Sequence, residues 1–120
     1  MSNVSSKARE HFQSAQLLFQ HNCYRDSVSR ADYAMYTAVE DYVGLSTTGT
    51  WNHRGIRRVF AAQLINEGVD RQTARDFGKR IFEGLNARLA ADYRRQSISQ
   101  DVATQTLADA QTVITWIERR

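Results

Sequence analysis

Proline is missing from this chain of 120 residues, and glycine occurs only six times. Without proline, no position is barred from a helix by a ring or a lost N–H. The same composition excludes collagen-like, proline-rich and low-complexity chains. Cysteine is reduced to Cys23, so no disulfide forms within the chain. No apolar run approaches the ~18 residues of a membrane-spanning helix, and no signal-peptide pattern opens the sequence. The expected compartment is therefore the cytoplasm. This length suits one domain, and residues 1–120 are expected to form it.

Lysine is scarce as well. Of 16 basic residues, 14 are arginine and only Lys7 and Lys79 are lysine. Arginine's planar fork suits phosphate and carboxylate. A GC-rich coding bias accounts for the same preference. With 13 acidic residues the net charge is +3, too small by itself to mark a nucleic-acid binder.

What is present is helical periodicity. Ala8, Phe12, Ala15 and Phe19 mark a helix over about residues 4–21, with Asn22 as its C-terminal cap. Tyr24, Val28, Ala31, Met35, Ala38 and Tyr42 mark a second, to about residue 45. Its alanines Ala31, Ala34 and Ala38 let a neighbour come close. The stretch 46–50 (Ser-Thr-Thr-Gly-Thr) is the longest loop signal. A third helix over about 52–66 turns Ile56, Val59, Phe60 and Leu64 inward, and Gly68 ends it. Asp70 caps a fourth, running to about residue 95, with Phe77, Ile81, Leu85 and Leu89 as its stripe. Ser97 with Gln100, or Ser99 alone, caps the last helix. The expected fold is all-α, an up-and-down bundle of four main helices plus one shorter one.

No Gly-rich phosphate loop and no His-Glu-x-x-His occur. His11, His21 and Cys23 fit no zinc spacing, so neither metal nor cofactor is implied. No basic recognition helix stands out.

Three polar constellations remain. Arg88 and Asp92 are four apart beside Leu85 and Leu89, and Tyr93 follows. They read as an i,i+4 ion pair or as a polar patch facing a groove or partner. Arg30, Tyr33 and Thr37 share a face next to the alanine stripe, with Asp26 placed to pair with Arg30. Trp51-Asn52-His53-Arg54-Gly55 opens the third helix, and Arg54, Arg57 and Arg58 form the densest basic cluster. They suit a phosphate contact or a solvated face. The helix dipole disfavours a cationic His53. Gly84 falls inside the fourth helix, one turn before Arg88, where it admits a neighbouring helix or a ligand.

In order and spacing, these segments resemble a HEPN domain, in its small stand-alone prokaryotic form. Arg30-Ala31-Asp32-Tyr33-Ala34-Met35-Tyr36 resembles the family's second-helix signature. His53-Arg54-Gly55-Ile56, with Phe60, resembles its His-Lys-Gly-Val…Phe segment. Arg88-Leu89-Ala90-Ala91-Asp92-Tyr93 resembles its Arg-x-x-Ala-Asp-Tyr signature. The likeness implies a four- or five-helix bundle, commonly a homodimer. Many members are metal-independent endoribonucleases of toxin–antitoxin, CRISPR-associated or anti-phage systems. Small members are often encoded beside a nucleotidyltransferase-type antitoxin.

The ribonuclease members carry an arginine followed by a histidine four to six residues later. Here the window after Arg88 holds Asp92, Tyr93 and Arg94, and none of the three histidines has that spacing. A tyrosine, with an ordinary pKa near ~10, is a poor base at neutral pH. The resemblance thus implies a nucleotide- or RNA-binding or protein-interaction module of a defence or toxin–antitoxin system, without self-sufficient catalysis. The binding set it implies is Arg30, Tyr33, Arg57, Arg58, Asp92 and Arg94. The alternatives are an active ribonuclease using Arg88 with His53 or Tyr93, and a structural dimerisation subunit.

Overall fold

The computed structural model describes residues 4–44, 46 and 49–120. Five helices follow one another: α1 (Ser6–Gln20), α2 (Tyr24–Val43), α3 (His53–Asn66), α4 (Arg71–Tyr93) and α5 (Gln100–Glu118). The fold is all-α, as the periodicity predicts. Leu45, Thr47 and Thr48, at the predicted end of the second helix and in the loop signal, lie outside the described residues.

With no proline available, polar caps and positive-φ residues end the helices. Asn22 takes φ 63°, and Cys23 N–H reaches the Leu18 carbonyl at 2.8 Å. Gly68 takes φ 95°, and Val69 N–H reaches the Leu64 carbonyl at 2.9 Å. Both are the bond pattern of a helix closed by a left-handed residue. Asn52, Asp70 and Ser99 accept from the backbone N–H three residues on and so start α3, α4 and α5. Of the two caps the sequence offered for the last helix, Ser99 is the one used.

The α2 helix is the hub, packed against each of the other four. Ala31, Ala34 and Ala38 are fully buried, so neighbouring backbones approach it closely. Ser27 ties α2 to α1 by donating to the Ala15 carbonyl at 2.7 Å. At one end of the core, the rings of Tyr42, Phe60, Phe77 and Trp116 meet edge-to-face or tilted, with centroids 5.5–6.3 Å apart. At the other end, Val28, Ala91 and Ala103 form a smaller cluster.

The α4 stripe departs from its predicted register. Phe77 and Ile81 are buried, Leu85 is half-buried, and Leu89 is 40% exposed. The buried line runs instead through Ala74, Phe77, Ile81, Gly84 and Ala91. Arg88 completes its spacing of three and four residues. A glycine and an arginine interrupt the apolar signal, so periodicity drifts to the leucines on the flank. Val59 of α3, also expected inward, is exposed because it flanks the buried line of Ile56, Phe60 and Leu64.

Candidate functional site

The rotation of α4 brings Arg88 onto the inner face, against α2. Its Nε donates to Asp32 Oδ2 at 2.8 Å, and its Nη1 lies 3.6 Å from Asp92 Oδ2. The expected i,i+4 partner is thus the weaker of two. Asp32, 1% exposed, is the nearer one. The guanidinium stacks over the Tyr33 ring at 4.8 Å, a cation–π contact. Ser29 donates to the other oxygen of Asp92 and fixes that carboxylate from α2.

Gly84 explains how α2 comes so close. A Cβ there would lie 2.4 Å from Met35 Cε and 2.7 Å from Asp32 Oδ1. The neighbour admitted by this interior glycine is α2 itself.

Asp32 Oδ1 is buried and has no hydrogen-bond partner among the described residues. Burial pushes the Asp32 carboxyl up to about 6, and the Arg88 contact offsets only part of that rise. At neutral pH one guanidinium faces two carboxylates. The centre's one cation is therefore already matched by carboxylates on two sides.

His53 opens α3 close by. Its ring lies 4.8 Å from that of Tyr36, whose hydroxyl donates to the Trp51 carbonyl at 3.2 Å. Both ring nitrogens are buried without a partner among the described residues. Burial, reinforced by the charges of Arg88 and Arg57, holds the imidazole down at about 4. His53 is neutral at physiological pH.

A groove of about 840 Å³ runs along the outer face of α2, with Lys7, His11, Arg30, Tyr33, Glu40 and Asp92 among its walls. Arg30 donates to His11 Nδ1 at 3.2 Å rather than pairing with Asp26 as its spacing suggested. Tyr33 and Asp92 belong to both the groove and the Arg88 centre.

The structure therefore brings Arg30, Tyr33 and Asp92 together and puts Arg88 and His53 behind them. Arg57 and Arg58 lie elsewhere, between α3 and α4. Tyr93 is 78% exposed at the end of α4. The Arg94 carbonyl accepts from Arg25 Nη1 at 2.9 Å, one of several α4 C-terminal carbonyls that Arg25 holds. Sequence reasoning missed Asp32 as Arg88's partner, His11 as Arg30's, and Arg25 as a clamp. For Asp32 a signal existed: a carboxylate inside the apolar line Val28, Ala31, Met35 needs a buried cation.

The family model described as HEPN domain matches residues 1–120. A Methanocaldococcus jannaschii protein named "Putative toxin MJ0605" is 26% identical over 112 residues, covering 93% of this chain and 81% of that protein. A Pyrococcus horikoshii protein named "UPF0332 protein PH1297" is 36% identical over 59 residues, covering 49% of this chain and 42% of its own length. Among the described residues, no helix is long and apolar enough to cross a membrane.

Proposed function

The chain belongs to the HEPN domain family, and from that premise we propose a nucleotide- or RNA-binding module of a toxin–antitoxin or defence system that does not cleave RNA by itself. The observation that carries this reading is the commitment of Arg88 to Asp32 and Asp92. Cleavage through the 2′-hydroxyl needs a base, an acid for the leaving oxygen, and a cation on the phosphorane. Here the cation is neutralised twice over, and both ring nitrogens of the nearby imidazole are buried. The relative named as a toxin supports the defence setting.

The α2 groove is the binding surface in this reading. Lys7 and Arg30 offer charge, and Tyr33 offers a partly exposed ring for a base. Exposed Leu89 and Tyr93, on the outer side of α4, support a second copy of this chain as a partner. A nucleotidyltransferase-type antitoxin is the partner that the family likeness suggests.

Titration of labelled RNA and of ATP into purified protein tests the reading. Arg30→Ala should weaken binding of one or both at least several-fold. Unchanged affinity in that variant removes the groove from the account.

A further inference from the structure

A second surface lies between α3 and α4, apart from the Arg88 centre. On α4, Arg75, Lys79 and Phe82 are four and three residues apart and share one face. On α3, Arg57 and Arg58 turn toward them. Together they wall a cavity of about 440 Å³, floored by Ala74 and Gly78.

Its charge is one-sided, since no carboxylate lines the cavity. Among the described residues, Arg57, Arg58 and Arg75 have no carboxylate within ion-pair distance. Lys79 has only the exposed Glu83, at 3.9 Å, a pair worth little in water. Phe82 is 45% exposed, so part of its ring is open to a ligand. The Arg57 guanidinium lies over it, 4.7 Å from the centroid.

We propose that this groove binds single-stranded nucleic acid, with Arg58, Arg75 and Lys79 on phosphates and a base stacked on the Phe82–Arg57 pair. Guanidinium forks match phosphate oxygens, and an exposed ring flanked by cations is the usual platform for an unpaired base. A purely acidic peptide such as decaglutamate would use the cations but has no ring to stack on Phe82. The α2 groove mixes both signs of charge, whereas this one is purely basic. The site therefore stands whether or not the α2 groove binds RNA.

The test is fluorescence anisotropy with a labelled ten-nucleotide oligouridine at several salt concentrations. Wild-type protein should bind with a salt-dependent affinity. The double variant Arg58→Ala/Arg75→Ala should flatten the salt slope by ~1.4. Phe82→Ala should weaken binding about 5- to 100-fold, and Phe82→Tyr should restore it. Amide signals of Gly78 and Lys79 in wild-type protein should move on adding the RNA, a readout independent of how the variants fold. Still signals, or a double variant that binds like wild type, overturn the proposal. So does displacement of the RNA by decaglutamate at equal charge, which would point to a protein partner. Binding lost only in Arg30→Ala overturns this site and leaves the α2 groove standing.

Discussion

Asp32 and His53 pull the pH dependence of stability in opposite directions, and Asp32→Asn should separate them. The Asp32 carboxyl rises from 3.8 to about 6 on folding. The folded state therefore holds its proton more tightly, and the group favours folding when protonated. That contribution is complete below pH ~4 and gone above pH ~6. At ~1.36 kcal/mol per pH unit it amounts to about 3 kcal/mol. His53 falls from 6.5 to about 4, which reverses the sign. Its contribution is complete above pH ~6.5 and lost as pH falls toward ~4, and for a half-buried ring partly screened by water it amounts to roughly 1–2 kcal/mol. In the wild type the two partly cancel. Asparagine keeps an oxygen for Arg88 Nε but cannot titrate. Urea unfolding followed by circular dichroism from pH 4 to 7 gives the assay. Relative to wild type, Asp32→Asn should gain about 3 kcal/mol as pH rises from 4 to 6.5, and His53→Asn should lose roughly 1–2 kcal/mol. Variant curves that run parallel to wild type within 1 kcal/mol would refute the reasoning.

Gly84→Ala gains up to ~1 kcal/mol of helix propensity but overpacks the α2–α4 contact by ~1–3 kcal/mol, because Arg88 holds Asp32 in place. After the full propensity gain, a net loss of up to about 2 kcal/mol is expected in chemical unfolding. A stabilised variant would mean that the two helices move apart freely. Ser99→Ala removes the α5 cap, whose side chain accepts from Val102 N–H at 3.2 Å, and should lower stability by about 1 kcal/mol. Ser97→Ala should leave stability within ~0.5 kcal/mol of wild type, and the reverse order would restore the rival capping box.

Most of the fold was legible because helices announce themselves locally. Apolar residues at three- and four-residue spacing placed the five helices, and Asn22, Gly68 and Asp70 marked their ends. The α4 face was not legible, because its inner line includes Gly84 and Arg88 and the flanking leucines carry a stronger periodic signal. Pairings across helices were equally hidden. Arg30 had Asp26 one turn away, yet His11 of α1 is nearer in space. Arg88 had Asp92 one turn away, yet Asp32 of α2 takes the shorter contact. Local spacing proposes such partners, but packing chooses among them. The basic cluster of α3 was visible, whereas its completion by Arg75, Lys79 and Phe82 needed the α3–α4 contact.

The central claim is that Arg88 is committed to two carboxylates and does not serve RNA cleavage. Its most direct test incubates total cellular RNA with the purified 120-residue chain in EDTA and compares wild type with Arg88→Ala. The account predicts intact RNA in both reactions. Metal-free cleavage by wild type that vanishes in Arg88→Ala would contradict it.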